Sequence, residues 1–175
     1  ATAVLAGDAL QALGFEMVAD PRCHPDPLVR ADLGLSLARA AGVRGMVLGQ
    51  ALDMAAERAD TPLTLEQITA LQAGKTGALI VWSAEAGARL AQADATPLTA
   101  YAERLGLAFQ IADDILDVEG DAETVGKAVG KDAGRGKATF VSLLGLDGAK
   151  TRAASLVTEA CDALSPYGHR ADALR

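Results

Sequence analysis

Aromatic residues are scarce. They make up 3% of the 175 residues, while hydrophobic residues make up 50%. The apolar mass is carried chiefly by Ala, Leu and Val. A β-sandwich or barrel draws on β-branched and aromatic side chains, so this composition points instead to packed helices and an all-α fold. Cysteine is almost absent too. Cys23 and Cys161 stand far apart in no metal-type spacing, which excludes a disulfide scaffold and a zinc site. Two isolated thiols fit a reducing cytosol, and a cytoplasmic location is expected. A chain of this length buries roughly 70% of its unfolded surface and needs no covalent staple. No apolar run reaches the ~18 residues of a membrane span, and no signal-peptide pattern opens the chain. Basic charge is in deficit: 16 Lys and Arg stand against 23 Asp and Glu, a net charge of −7. That excludes nucleic acid and stable insertion into an anionic membrane as natural partners. It suits cations, or anions that arrive with cations.

The helical pattern starts almost at the first residue, with Val4, Leu5, Leu10 and Leu13 near one face. It stops in mid-pattern at Arg175. The expectation is one helical domain over 1–175 that is an internal piece of a longer protein. The first helix runs to about Asp20, before Pro21. Asp26 and Pro27 cap and open a second helix that ends near Ala41, with Gly42 beyond it. A third helix spans about 44–58. Thr64 and Gln67 form a capping box that opens a long helix to about Ala93. Thr96 and Pro97 open another, which reaches about Val118 and stops at Gly120. Residues 120–137 read as a loop with a short helix inside. A helix over about 138–144 comes next, and Asp147 caps a last one ending near Ser165 and Pro166. Several helix-interior glycines, Gly49, Gly74, Gly77 and Gly106 among them, each cost roughly 1 kcal/mol against Ala. For these and for Gly7, Gly14, Gly34 and Gly87, close helix packing is the expected reason, with backbone approach to a ligand as the alternative.

The chemistry concentrates near residue 113. On a helix, Asp113 and Asp117 share a face, with Asp114 one step round. Ile111, Ile115, Leu116 and Val118 tie the same helix to the core. The carboxylates also sit at the helix end where the dipole disfavours anions. Like charges about 4 Å apart repel by about 4 kcal/mol at an effective dielectric of 20. A hard divalent cation would offset both penalties, and oxygen-only donors favour Mg²⁺ over Zn²⁺. A solvated acidic face is the competing explanation. An EF-hand is excluded because Ile115 and Ala122 fall where a ligand and a glycine belong. A di-iron bundle is excluded because neither His24 nor His169 follows a Glu by three residues.

Residues 126–137 complement these acids. They alternate glycines with Lys127, Lys131, Arg135 and Lys137. Glycines let backbone amides approach an anion, and the lysines add charge. The spacing is not that of a Walker loop, because Ala128 and Ala138 follow the lysines. A basic surface loop is the plain alternative. Beside a carboxylate cluster, the stretch suggests a metal–diphosphate site. Lys75, within Lys75-Thr76-Gly77, lies mid-helix among glycine and apolar residues. It either faces a cavity or snorkels to the surface. Gln50 and Asp53 lie three apart and either face the same cavity or form a polar stripe.

Phe109-Gln110-Ile111-Ala112-Asp113-Asp114-Ile115-Leu116-Asp117 resembles the second aspartate-rich motif of the trans-prenyl diphosphate synthases. The glycine- and lysine-rich stretch after it resembles that family's loop. Lys75-Thr76-Gly77 is similar to its lysine–threonine motif, and Gly49-Gln50-Ala51-Leu52-Asp53 to its glycine–glutamine motif. Residues 3–10 resemble the helix that follows the first aspartate-rich motif. The bacterial farnesyl and geranylgeranyl diphosphate synthases are the subgroup most resembled. The resemblance implies an all-α antiparallel bundle around a central cavity, a homodimer, and Mg²⁺ as cofactor. It implies isopentenyl diphosphate and an allylic diphosphate as substrates. By motif, Asp113 is a direct Mg²⁺ ligand, and Asp114 and Asp117 hold its waters and neighbouring groups. Lys75, Lys127 and Lys137 grip the allylic diphosphate, with Gln50 also on the substrate side. The Thr76 carbonyl and the Gln110 side chain face the developing cation.

No other DDxxD occurs in the chain. The first aspartate motif, its following arginine pair and the isopentenyl-diphosphate residues are not among these residues, nor is the family's last helix. The expectation is a synthase fragment. The alternative is a non-catalytic regulatory or partner subunit of the same fold. The resemblance implies three Mg²⁺ ions between two facing aspartate motifs, so two of them would lack ligands here and the isolated chain is expected not to turn over. An assay of this chain with both diphosphates and Mg²⁺ should yield no product, and steady product formation would overturn that expectation.

Overall fold

The computed structural model describes residues 1–120 and 138–175. Every regular element among them is helical. Helices α1 (Thr2–Ala19), α2 (Pro27–Ala41) and α3 (Met46–Ala56) come first. The long helix expected over 64–93 is present but interrupted. Helix α4 (Leu65–Gln72) passes into a π-helical turn (Ala73–Gly77) and resumes as α5 (Ala78–Leu90). Helix α6 (Thr96–Glu119) carries the aspartates. The short α7 (Phe140–Leu144) and α8 (Leu146–Ala163) come after it, and a 3₁₀ segment (Ser165–Leu174) closes the chain.

The local signals act as the side-chain chemistry requires. The Asp26 side chain accepts from Leu28 N–H at 2.8 Å, with Pro27 opening α2. Thr64 and Gln67 exchange both bonds of the capping box at the start of α4. At α6 the cap differs from expectation. Ala95 takes the N-cap position and makes no side-chain cap bond, while Asp94, one residue before it, accepts from the Thr96 amide at 2.9 Å and its hydroxyl at 2.6 Å. A carboxylate is the stronger acceptor, so the hydroxyl becomes a donor. Asp147 likewise lies inside the first turn of α8 rather than capping it. Gly145 takes the cap position at φ +71°, a left-handed turn that suits glycine. Helix α8 ends at Ala163, close to the end expected near Ser165 and Pro166, and the 3₁₀ segment continues from there. Tyr101 Oη donates to the Leu174 carbonyl at 2.9 Å and straps the 3₁₀ segment onto α6.

Helices α6 and α8 form the spine of the fold. One core cluster joins Ile68, Ala108, Ile111, Phe140, Ala149 and Leu156. A second joins Tyr101, Ala102, Ala160, Leu164 and Ala171. Ile111 is 0% exposed. Full burial of such a side chain is worth about 1.5–3 kcal/mol, enough to fix the rotation of α6 two residues before Asp113. Helices α2, α5 and α6 are also joined by polar contacts. Arg89 donates to Glu85 and to Asp32, and Thr99 donates to Glu85 at 2.6 Å. The hydrogen bond from Glu85, above all, holds the Arg89 guanidinium's pKa above its ordinary value. By contrast α1 buries nothing fully, and Val4, Leu5, Leu10 and Met17 stay exposed. No helix among the described residues is long and apolar enough to cross a membrane.

The Asp94 carboxylate makes a pH prediction. Its hydrogen bonds with Thr96, the side-chain bond first, hold the carboxyl below its ordinary pKa. These bonds therefore stabilise the fold fully above the unfolded pKa of about 3.9. That contribution disappears as pH falls through the lower folded value. Asp94→Ala should lower the melting temperature at pH 7, and the deficit should shrink as pH falls below about 4, as monitored by circular dichroism.

Candidate active site

Helix α3 crosses the π turn at backbone distance. A Cβ built on Gly49 would lie 2.0 Å from the Lys75 amide nitrogen, which no side chain can occupy. One built on Gly74 would lie 3.3 Å from the Gly49 Cα. On the other side, a Cβ on Gly106 of α6 would lie 3.5 Å from the Gly77 Cα. So α3 and the π turn meet through Gly49 and Gly74, where close packing is the reason for glycine as expected, while at Gly106 an added Cβ would make ordinary contact. Close packing is not the reason at Gly7, Gly34 or Gly87, where an added Cβ meets nothing within 4 Å.

The crossing places the site residues. Asp53, one turn along α3 from Gly49, is buried at 4% exposure. Its Oδ2 accepts from Lys75 Nζ at 2.7 Å. Lys75 is therefore held beside α3 and is not a simple snorkelling side chain. Gln50, expected to share either a cavity or a polar stripe with Asp53, is exposed. Thr76 and Gln110 are half-buried.

On α6, Gly106, Gln110, Asp113 and Asp117 recur at helical spacing and form one stripe. The stripe begins where α6 touches the π turn and runs to the helix end. Asp113 and Asp117 are half-buried along it, and no basic residue occupies the last turn of α6. Asp114 has a second duty. Its Oδ2 accepts from the Phe140 amide at 2.7 Å, so it holds the first turn of α7. Thr139 and Ser142 complete that turn with a capping box. Lys127 and Lys137 lie outside the described residues.

The donor set suits Mg²⁺. Among the described residues, no three His, Cys, Asp or Glu side chains converge as a ready-made cage. Asp113 and Asp117 offer hard oxygen donors one turn apart. Mg²⁺ is commonly held in this way, by one or two carboxylates with water and phosphate oxygens completing the octahedron. Beside the stripe lies an apolar cavity of about 390 Å³ between α4–α5 and α6. Gly77, Val81, Gly106 and Leu107 line it, with Gln72 and Glu103 as its polar edges.

The Asp53–Lys75 pair and the Asp114–Phe140 bond lie beyond the sequence expectations. The first joins residues 22 apart and the second residues 26 apart. The glycines at 49 and 74 are the only sequence signal for the first.

The all-helical frame is shared with solved isoprenoid synthases. An FPP/GFPP synthase from Zymomonas mobilis superposes with a TM-score of 0.86 at 49% identity, over 99% of this chain and 58% of that one. A geranyltransferase from Helicobacter pylori, solved with magnesium and isoprenyl diphosphate, gives 0.80 at 38% identity, over 94% and 54%. The polyprenyl synthetase family model matches residues 1–165, and the chain belongs to that family. The farnesyl diphosphate synthase of Haemophilus influenzae is 42% identical over 175 residues, covering 94% of this chain and 56% of that protein. That of Escherichia coli is 44% identical over 171 residues, with the same coverage. The chain spans about half the length of the curated relatives it matches.

The glycine crossing separates two kinds of substitution. Gly49→Ala forces backbone apart and should destabilise by at least the ~1–3 kcal/mol typical of overpacking. Gly87→Ala, on open helix surface, should stabilise by up to about 1 kcal/mol. Urea unfolding of both variants checks the sign.

Proposed function

We propose that this chain is a single helical domain, the C-terminal portion of a trans-prenyl diphosphate synthase. The reaction condenses isopentenyl diphosphate with an allylic diphosphate, toward farnesyl or geranylgeranyl diphosphate. The observation that carries this proposal is the α6 stripe, which leads from the Gly106–Gly77 contact beside Lys75 to Asp113 and Asp117. One stripe and one lysine give an anion both a metal route and a direct route for binding.

Asp113, with Asp114 and Asp117 beside it, would hold Mg²⁺ through carboxylate oxygens. Bound Mg²⁺ would supply the Lewis acidity that neutralises charge building on the departing diphosphate. Lys75, Lys127 and Lys137 grip the allylic diphosphate, and Gln50 lies on the same substrate side. The allylic C–O bond breaks with its electron pair leaving on diphosphate. The Thr76 carbonyl, in a turn wound more widely than the α ladder, and the Gln110 side chain present negative dipole ends to the carbon cation. Fixed dipoles of this kind act where charge develops and need no reorganisation. The isopentenyl double bond then forms the new C–C bond, and a proton is lost. The apolar cavity beside Gly77 and Gly106 offers space for hydrocarbon. The exposed apolar face of α1 fits a homodimer or a longer protein that covers it. A cytoplasmic location fits the two free thiols. The isolated chain is expected to be inactive in turnover.

Calorimetric titration with inorganic diphosphate tests the site directly. Wild type and Asp113→Ala are each titrated with and without Mg²⁺. Mg²⁺ should tighten wild-type binding by at least tenfold, about 1.4 kcal/mol. Asp113→Ala should lose most of that gain. Equal affinity in all four titrations would refute a metal–diphosphate site.

A further inference from the structure

We infer that Asp53 is a positioning residue for Lys75, which it holds in the orientation that receives an anion. The inference rests on the proposed role of Lys75 toward diphosphate.

The geometry is a clamp with two points. At the first, the backbone of α3 at Gly49 abuts the Lys75 amide so closely that no Cβ fits. At the second, one helical turn further along α3, Asp53 Oδ2 takes the Lys75 ammonium at 2.7 Å. The main chain and the tip of the same lysine are thus both fixed by one helix. A lysine needs such fixing, because its ammonium is a compact charge on a four-carbon stem with high rotamer freedom. An unclamped lysine must be ordered when the anion binds, which lowers affinity.

Burial separates the partners. The Asp53 side chain is 5% exposed and that of Lys75 is 31% exposed. The carboxylate is the enclosed end of the pair and the ammonium is the accessible end. An enclosed carboxylate is costly unless its partner stays close, while apolar residues fill such a site at no greater cost. The ammonium has three N–H donors, and Asp53 Oδ2 takes one. The others remain for oxygens arriving from the exposed side. Asp53 needs to touch neither metal nor substrate to act in this way.

A four-way comparison tests the clamp on the 175-residue chain. Inorganic diphosphate with Mg²⁺ is titrated into wild type, Asp53→Asn, Lys75→Met and the double variant. Asp53→Asn should weaken binding about tenfold, the scale of one hydrogen bond to a charged group. In the Lys75→Met background the same change should have no further effect. A general structural role would instead weaken binding by the same factor in both backgrounds, and that result overturns the clamp. Unchanged or tighter binding by Asp53→Asn overturns it as well. Trace acetylation of the unliganded protein gives a second readout. Lys75 should label severalfold faster in Asp53→Asn than in wild type, relative to Lys150 in the same sample, and equal labelling overturns the clamp. No binding by wild type would defeat the metal–diphosphate proposal and the clamp with it. Binding without coupling between Asp53 and Lys75 would defeat the clamp alone.

Discussion

The site depends on a backbone crossing from which side chains are excluded. Where α3 passes the π turn, Gly49 and Gly74 let two main chains meet at a separation no other residue allows. Everything local is referenced to that contact. Asp53 is buried one turn away because α3 is pressed against its neighbour. Lys75 is held because its own amide is at the contact. On the far side of the same turn, α6 packs at Gly106 against Gly77 and Ile80, and carries Gln110, Asp113 and Asp117 onward from that contact. Each glycine carries a propensity cost of roughly 1 kcal/mol in a helix. The structure offsets that cost with dispersion contacts between close-packed backbones.

Charge is arranged along a second axis. Asp113 and Asp117 stand on the negative end of the α6 dipole, while Ile111 is sealed in the core on another side of the helix. Apolar burial therefore fixes the direction in which the unfavourable charges face. Asp114, one step round, is drawn to the Phe140 amide and bonds α6 to the helix beyond residues 121–137. A helix end that concentrates acids is unstable on its own terms and selective for cations for the same reason. The lysines Lys75, Lys127 and Lys137 belong to the proposed complement of that end, which fits an anion arriving with its metal.

Much of the helical frame is legible in the sequence because caps and prolines act locally. Asp26-Pro27, Thr64 with Gln67 and Gly120 mark their helix ends as their chemistry demands. The misread boundaries are those where two local groups compete. Asp94 outcompetes Thr96 as an acceptor, and Gly145 displaces Asp147 as a cap because its φ is positive. The π turn reads as uninterrupted helix, since a 3.6-residue period averaged over 30 residues hides one extra residue. The acidic stripe is visible from spacing alone. The partner of Lys75 is not, because nothing local connects residues separated by 22 positions. Gln50 and Asp53 show the limit of spacing arguments. They lie three apart on one helix, and one is exposed while the other is buried.

The π turn also resets phase. Each residue of an α-helix turns about 100°, so a turn wound with five residues in place of four rotates the downstream helix by nearly a third of a revolution. Upstream, Ile68 points into the cluster around Ile111 and Phe140; downstream, Ile80, Val81 and Ala84 point into the cluster around Tyr101 and Leu164. One rod thus carries two amphipathic registers, each read by a different part of the core. Straightening the turn to α pitch with all its residues kept would rotate the downstream half by about 100° and carry Ile80 and Ala84 away from their cluster. The irregularity beside Lys75 is for that reason also the gear by which one long helix serves two cores.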